Sequence, residues 1–171
     1  MKEHDLNQLI ENRLLLNEKI QGFMAEGVLT KQKADKAEIS GHLMKSDHNL
    51  RFVQENIRID FLDWAITGCY YACYHAALAL IMTKDYYSKN HLATLAVLIR
   101  EFYQKGLTKE DIETLSDFLD YQDVLFYVES KNRREEAMYS SKIRFTKEEA
   151  NMLRIKAVLF VSKLKAIIHE T

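Results

Sequence analysis

Apolar residues recur along this chain at intervals of three and four, the spacing of one face of a helix. Between about Asp5 and Met24 they are Leu6, Leu9, Ile10, Leu14, Ile20 and Phe23, which predicts an amphipathic helix bracketed at its end by Gly22 and Gly27. From about Thr30 to Ile57 the chain is polar and charged, with a thin stripe at Leu43, Leu50, Val53 and Ile57. That pattern predicts a long helix packed on one side only. The next segment, about Asp60 to Met82, is apolar almost all round. Asp60 and Asp63 suit its first turn, where free N–H groups and the helix dipole favour acids. Small residues at Ala65, Gly68, Cys69, Ala72, Ala76 and Ala79 let a neighbouring helix come close. Such a helix is either the centre of a bundle or a membrane span. Asp63, Thr67, His75 and a run of Tyr and Trp side chains interrupt it, so the bundle is expected and the membrane is not.

Three more segments complete the pattern. One starts near His91, carries Leu92, Leu95, Ala96, Leu98, Ile99 and Phe102, and stops at Gly106. Another opens at Thr108-Lys-Glu-Asp111, a variant capping box, and carries Ile112, Leu115, Phe118 and Leu119. Val124 to Val128 has strand propensity, but five residues with no hairpin partner favour buried helix. Ser130 to Ile143 is polar and irregular. The last helix starts at the capping box Thr146-Lys-Glu-Glu149, with Ala150, Leu153, Ala157, Val161, Leu164 and Ile168 on one face. The expected architecture is all-α: an antiparallel up-and-down bundle of four to five helices over residues 28–171, preceded by a helical extension over 1–27.

Composition supports this picture. The 171 residues include no proline and five glycines, too few to turn the strands of a sandwich or barrel. Net charge is -1, so no global basic field holds nucleic acid and any such binding needs a local patch. The charged start Met1-Lys2-Glu3-His4-Asp5 leads into no long apolar run, which predicts no signal peptide and a cytoplasmic protein.

Much chemistry has no signal. There is no Gly-rich phosphate loop and no zinc-finger cysteine spacing. A di-iron bundle needs Glu-x-x-His, and no histidine here has Glu three residues before it. His42 and His48 are six apart, off register on a helix. No metal and no cofactor is expected. Cys69 and Cys73 lie one turn apart among apolar neighbours and read as small core residues.

Two regions can bind. Tyr71 and His75 share a helix face, as do Tyr70 and Tyr74, and their polar tips need partners inside the bundle, across a dimer or in a ligand cleft. His91 begins a helix close to Tyr86 and Tyr87. From Lys131 to Lys147, six cations face two carboxylates around Tyr139. Cations with an aromatic neighbour suit phosphate and base contacts, although charge runs commonly just face water. Arg134, Tyr139 and Lys142, assisted by Arg133, are the candidate ligands there.

The run Cys69-Tyr-Tyr-Ala-Cys-Tyr-His-Ala-Ala-Leu-Ala-Leu80 resembles the Tyr-Tyr-Ala helix of HEPN-domain proteins. His91 falls where that family has a histidine opening the next helix, and Arg134-Glu-Glu-Ala-Met-Tyr139 resembles its Arg-x-x-Ala-x-Tyr turn. Glu148-Glu-Ala150 through Phe160-Val161 resembles its closing helix. The resemblance covers about Glu38 to Ile168. It implies a helical bundle that usually forms a homodimer, often partnered with a small nucleotidyltransferase as a toxin–antitoxin pair. Many members are metal-independent ribonucleases whose motif is Arg, four to six residues, then His. No arginine in this chain is followed by histidine at that spacing; after Arg134 the place falls on Tyr139. RNA cleavage at a 2′-hydroxyl needs groups that exchange protons near neutral pH, and a phenol with a pKa of about 10 does not. The expectation is a non-catalytic module that binds nucleotide, RNA or a nucleotidyltransferase. The alternatives are a ribonuclease using His75 or His91, and a purely structural interaction protein.

Overall fold

The helix Leu62–Met82 (α4) runs through the middle of the protein and packs against four others: Lys36–Arg58 (α3), His91–Phe102 (α5), Lys109–Asn132 (α6) and Lys147–His169 (α7). The computed structural model describes residues 3–132 and 145–170, with side chains from 6 to 120 and 145 to 170. Among these residues there are seven helices, the first two being Glu3–Glu11 (α1) and Arg13–Ala25 (α2). Two short strands, Leu29–Lys31 (β1) and Tyr86–Ser88 (β2), pair antiparallel with Leu29 opposite Ser88 and Lys31 opposite Tyr86. The protein is thus helical, as expected, with one small sheet that the pattern did not predict.

The central position of α4 follows from its composition. It is long and apolar enough to cross a membrane, yet 78% of its most apolar window is buried inside the fold. Ala65, Cys69, Ala72, Cys73, Ala76 and Ala79 are fully buried, and their small side chains admit the neighbouring helices. Gly68 lies tight against Val53 and Phe52 of α3, with no room for a Cβ. Buried Ser46 of α3 donates to the Ala72 carbonyl of α4 at 2.7 Å, which satisfies a hydroxyl that would be costly unpaired. The helix α7 lies antiparallel to α3: Lys147 pairs with Asp60 at one end and Lys165 with Asp47 further along.

Helix ends account for most departures from the periodicity. The first amphipathic stretch is two helices, because Asn12 leaves the helix and caps α2 by accepting from Leu15 N. Gly27 (φ 71°) closes α2, and Asp60 (φ 60°) closes α3 instead of opening α4. Asp60 is tolerated there because a short polar side chain adopts the left-handed region more readily than most. The Thr146–Glu149 capping box forms at the start of α7. Val124 to Val128 is helical, inside α6. Leu6, Leu9, Leu16 and Ile20 from α1 and α2 enter the same core as the other helices, and both α1 and α2 pack on α5.

Candidate functional site

Two imidazoles meet in the α3–α4 seam. His42 and Ser46, one turn apart on α3, face α4, continuing the stripe that Val53 and Ile57 begin. From α4, His75 reaches back, and the two Nδ1 atoms lie 2.9 Å apart with ring centroids 5.1 Å apart. One ring must then donate and the other accept. Burial, the neighbouring His42 and Lys45 bring the His75 pKa down from 6.5 to about 4. Burial and Lys45 lower that of His42 as well, opposed by the carboxylate of Glu38 one turn earlier. Both rings are therefore neutral near pH 7, beside a cation.

An aromatic group continues the site along α4. Tyr70 and Tyr74 stack at 5.7 Å, Tyr71 meets Tyr70 edge-on at 4.8 Å, and Tyr74 lies 6.3 Å from His75. Tyr74 is half-buried, which raises its pKa, and it hydrogen-bonds Thr94 of α5. Tyr71 is 40% exposed, unlike its buried neighbour Tyr70. An open cleft of about 860 Å³ lies against α3 at this place, with Gly41, Lys45, Asp47, His48, Arg51 and His75 among its lining residues.

The sequence candidates divide accordingly. Tyr71 and His75 do share a face of α4. His91 sits in the first turn of α5, half-buried, next to Asn90, which caps that helix by accepting from Ala93 N. Among the described contacts none joins His91 to the imidazole pair. Arg133, Arg134, Tyr139 and Lys142 lie outside the described residues. The pattern pointed to neither His42 nor Lys45. The signal for His42 was the stripe itself: counting back from Ile57 by four, seven and four residues reaches Val53, Ser46 and His42.

Cys69 and Cys73 are buried core residues, as the sequence suggested. Burial pushes the Cys69 thiol up to about 12 and Cys73 well above its usual value, so neither is a thiolate at neutral pH. Among the described residues, no three His, Cys, Asp or Glu side chains converge to hold a metal.

No family model matches the chain. It is 28% identical, over 130 residues, to a protein of Methanocaldococcus jannaschii named "Putative toxin MJ0142"; the match spans 76% of this chain and 81% of that protein. The chain is therefore distantly related to a protein carrying a toxin's name.

Proposed function

We propose that this protein is a component of a toxin–antitoxin-type system: a dimeric, HEPN-like helical module that binds nucleotide or RNA, or a nucleotidyltransferase partner, without cleaving RNA. The similarity to the Methanocaldococcus jannaschii protein carries this reading, because it runs through most of both chains. The helical architecture agrees with it. Two features support binding over cleavage. No arginine is followed by histidine at the ribonuclease spacing, and the cationic run around Tyr139 suits phosphate and base contacts.

A second reading, a metal-independent ribonuclease with a displaced histidine, is favoured by one observation: His42 and His75 adjoin each other beside Lys45. One experiment separates the two. The purified full chain is incubated with labelled RNA and chelator, and binding and cleavage are followed together. Retention of intact RNA supports the binding module. Chelator-resistant cleavage that disappears in His75→Ala supports the ribonuclease. For the wider role, the chain is expressed alone and with the product of the gene next to its own. Growth arrest relieved by the neighbour is expected, and unimpaired growth in both cases would overturn the toxin–antitoxin assignment.

A further inference from the structure

We infer that His42, Lys45 and His75 form a binding site for the phosphate of a nucleotide, with Tyr71 as the surface on which its base stacks. This rests on the nucleotide-binding reading above and assigns it residues other than Arg133, Arg134, Tyr139 and Lys142. The first observation is the cleft. About 860 Å³ is the size of a small-molecule site, and His75 and Lys45 both line it.

The second observation is Gly41, which lines the same cleft. Glycine inside a helix costs roughly 0.5–1 kcal/mol relative to alanine. A Cβ placed on Gly41 would meet nothing within 4 Å, so packing does not require the glycine. Its missing side chain leaves the backbone of α3 uncovered beside His42 and Lys45.

The third observation is charge. Lys45 acts on both imidazoles and forms no ion pair with a carboxylate among the described residues. Arg51 lines the cleft too, while its one acid, Asp47, is already bridged by Lys165. Lys45 and Glu38 on α3 and Tyr74 on α4 stand nearest the imidazole pair, and Asp47, His48 and Arg51 on α3 line the cleft that His75 enters. Glu38 is the weakest influence named on His42, so the local balance is cationic. A phosphate dianion there supplies the counter-charge that Lys45 lacks and favours a protonated imidazole. Binding is then coupled to proton uptake.

The fourth observation is spacing. Tyr71 and His75 share a face of α4, four residues apart. The Cβ atoms of residues so related stand about 5–6 Å apart, close enough for one nucleotide to meet both side chains. Exposed aromatic rings stack on any base, which makes the site tolerant of base identity.

The test uses the full chain with two probes. Sulfate keeps both charges between pH 5 and 8, so its binding reports only the protein's protons. AMP adds a base. The imidazole signals of His42 and His75 are followed by NMR, assigned with His42→Gln and His75→Gln. Sulfate is expected to shift both signals and to bind about tenfold more tightly at pH 5.5 than at pH 7.5. Lys45→Ala, at an exposed position, is expected to weaken both probes about tenfold, the effect of removing one charge-assisted hydrogen bond. Tyr71→Ala is expected to weaken AMP and leave sulfate unchanged. Imidazole signals that ignore both probes, or Lys45→Ala binding as wild type does, would overturn the site. Nucleotide or RNA binding that survives in Lys45→Ala and His75→Gln at full strength overturns this site while leaving the proposed function intact. If no nucleotide or RNA binds the wild type, the nucleotide-binding reading fails even where sulfate moves both signals.

Discussion

His42 Nδ1 lies 2.9 Å from His75 Nδ1, so a hydrogen bond between two titratable groups crosses the α3–α4 seam. The folded protein holds His75 near pKa 4 and lowers His42 too, against 6.5 for the free side chain. Between those values the unfolded chain binds more protons than the folded one, so stability must fall as pH falls. The contribution is complete above pH 6.5 and is lost on the way down to about 4. The thermal midpoint should drop by several degrees from pH 7 to pH 5, a shift on the order of 1 kcal/mol after allowing for partial exposure of the rings. His75→Gln should flatten that slope. Equal midpoints at the two pH values in the wild type would show that the pair does not titrate in this way.

At Gly68 the seam between α3 and α4 leaves no room for a Cβ. An added Cβ would stand 2.7 Å from Val53 Cγ2 and 3.0 Å from Phe52 Cδ1. Phe52 is 39% exposed and can swing aside, but Val53 is fully buried and β-branched, so it has little rotamer freedom. Gly68→Ala should cost about 1–3 kcal/mol through overpacking. Gly22→Ala, in α2 with nothing within 4 Å of the new methyl, should instead stabilise. Its expected gain is roughly 0.5–1 kcal/mol, from helix propensity alone. Urea unfolding of the two variants reads both signs, and destabilisation by Gly22→Ala would contradict the packing described for α2.

How far the sequence alone could reach is visible in particular residues. Most helices were legible because they present a repeating apolar face, α4 because it is a long unbroken apolar run, and Thr146 with Glu149 marked the start of α7. The break at Asn12 was not, because the apolar spacing of α1 and α2 continues across it and only the cap interrupts the hydrogen bonding. Strands β1 and β2 were not legible either. Each has three residues, too short for an alternation to show, and they pair across more than fifty residues of intervening chain. At the candidate site, His75 stood out as a polar group on an apolar helix. Its partner His42 did not, because α3 is polar on most sides and a histidine there looks like surface until α4 is placed against it.

The cysteines offer a test of burial. Cys69 has its pKa pushed up to about 12 and Cys73 is held well above its usual value, in both cases by burial first. The thiolate is the reactive form, so alkylating reagents should not modify either residue in the folded protein at pH 7.5. Modification should appear only as fast as the protein unfolds and should accelerate with urea in step with loss of helix. Rapid labelling of the native protein, followed by mass spectrometry, would show that α4 is less enclosed than its packing against α3, α5, α6 and α7 implies.

The Arg134 segment is tested through salt. If Arg134 and Lys142 each neutralise a phosphate, removing both should weaken RNA binding and reduce the dependence of affinity on salt. For single-stranded RNA the logarithmic slope falls by about 0.7 for each phosphate no longer neutralised, so the double variant Arg134→Ala with Lys142→Ala should lose roughly 1.4. Helical content should not change. Lys45→Ala provides the contrast: it should weaken nucleotide binding about tenfold but lower the RNA slope by at most about 0.7, since it removes one charge. Binding isotherms at four salt concentrations distinguish the two. An unchanged slope in the double variant would mean that these cations face water, and the imidazole cleft would then have to account for any nucleotide binding by itself.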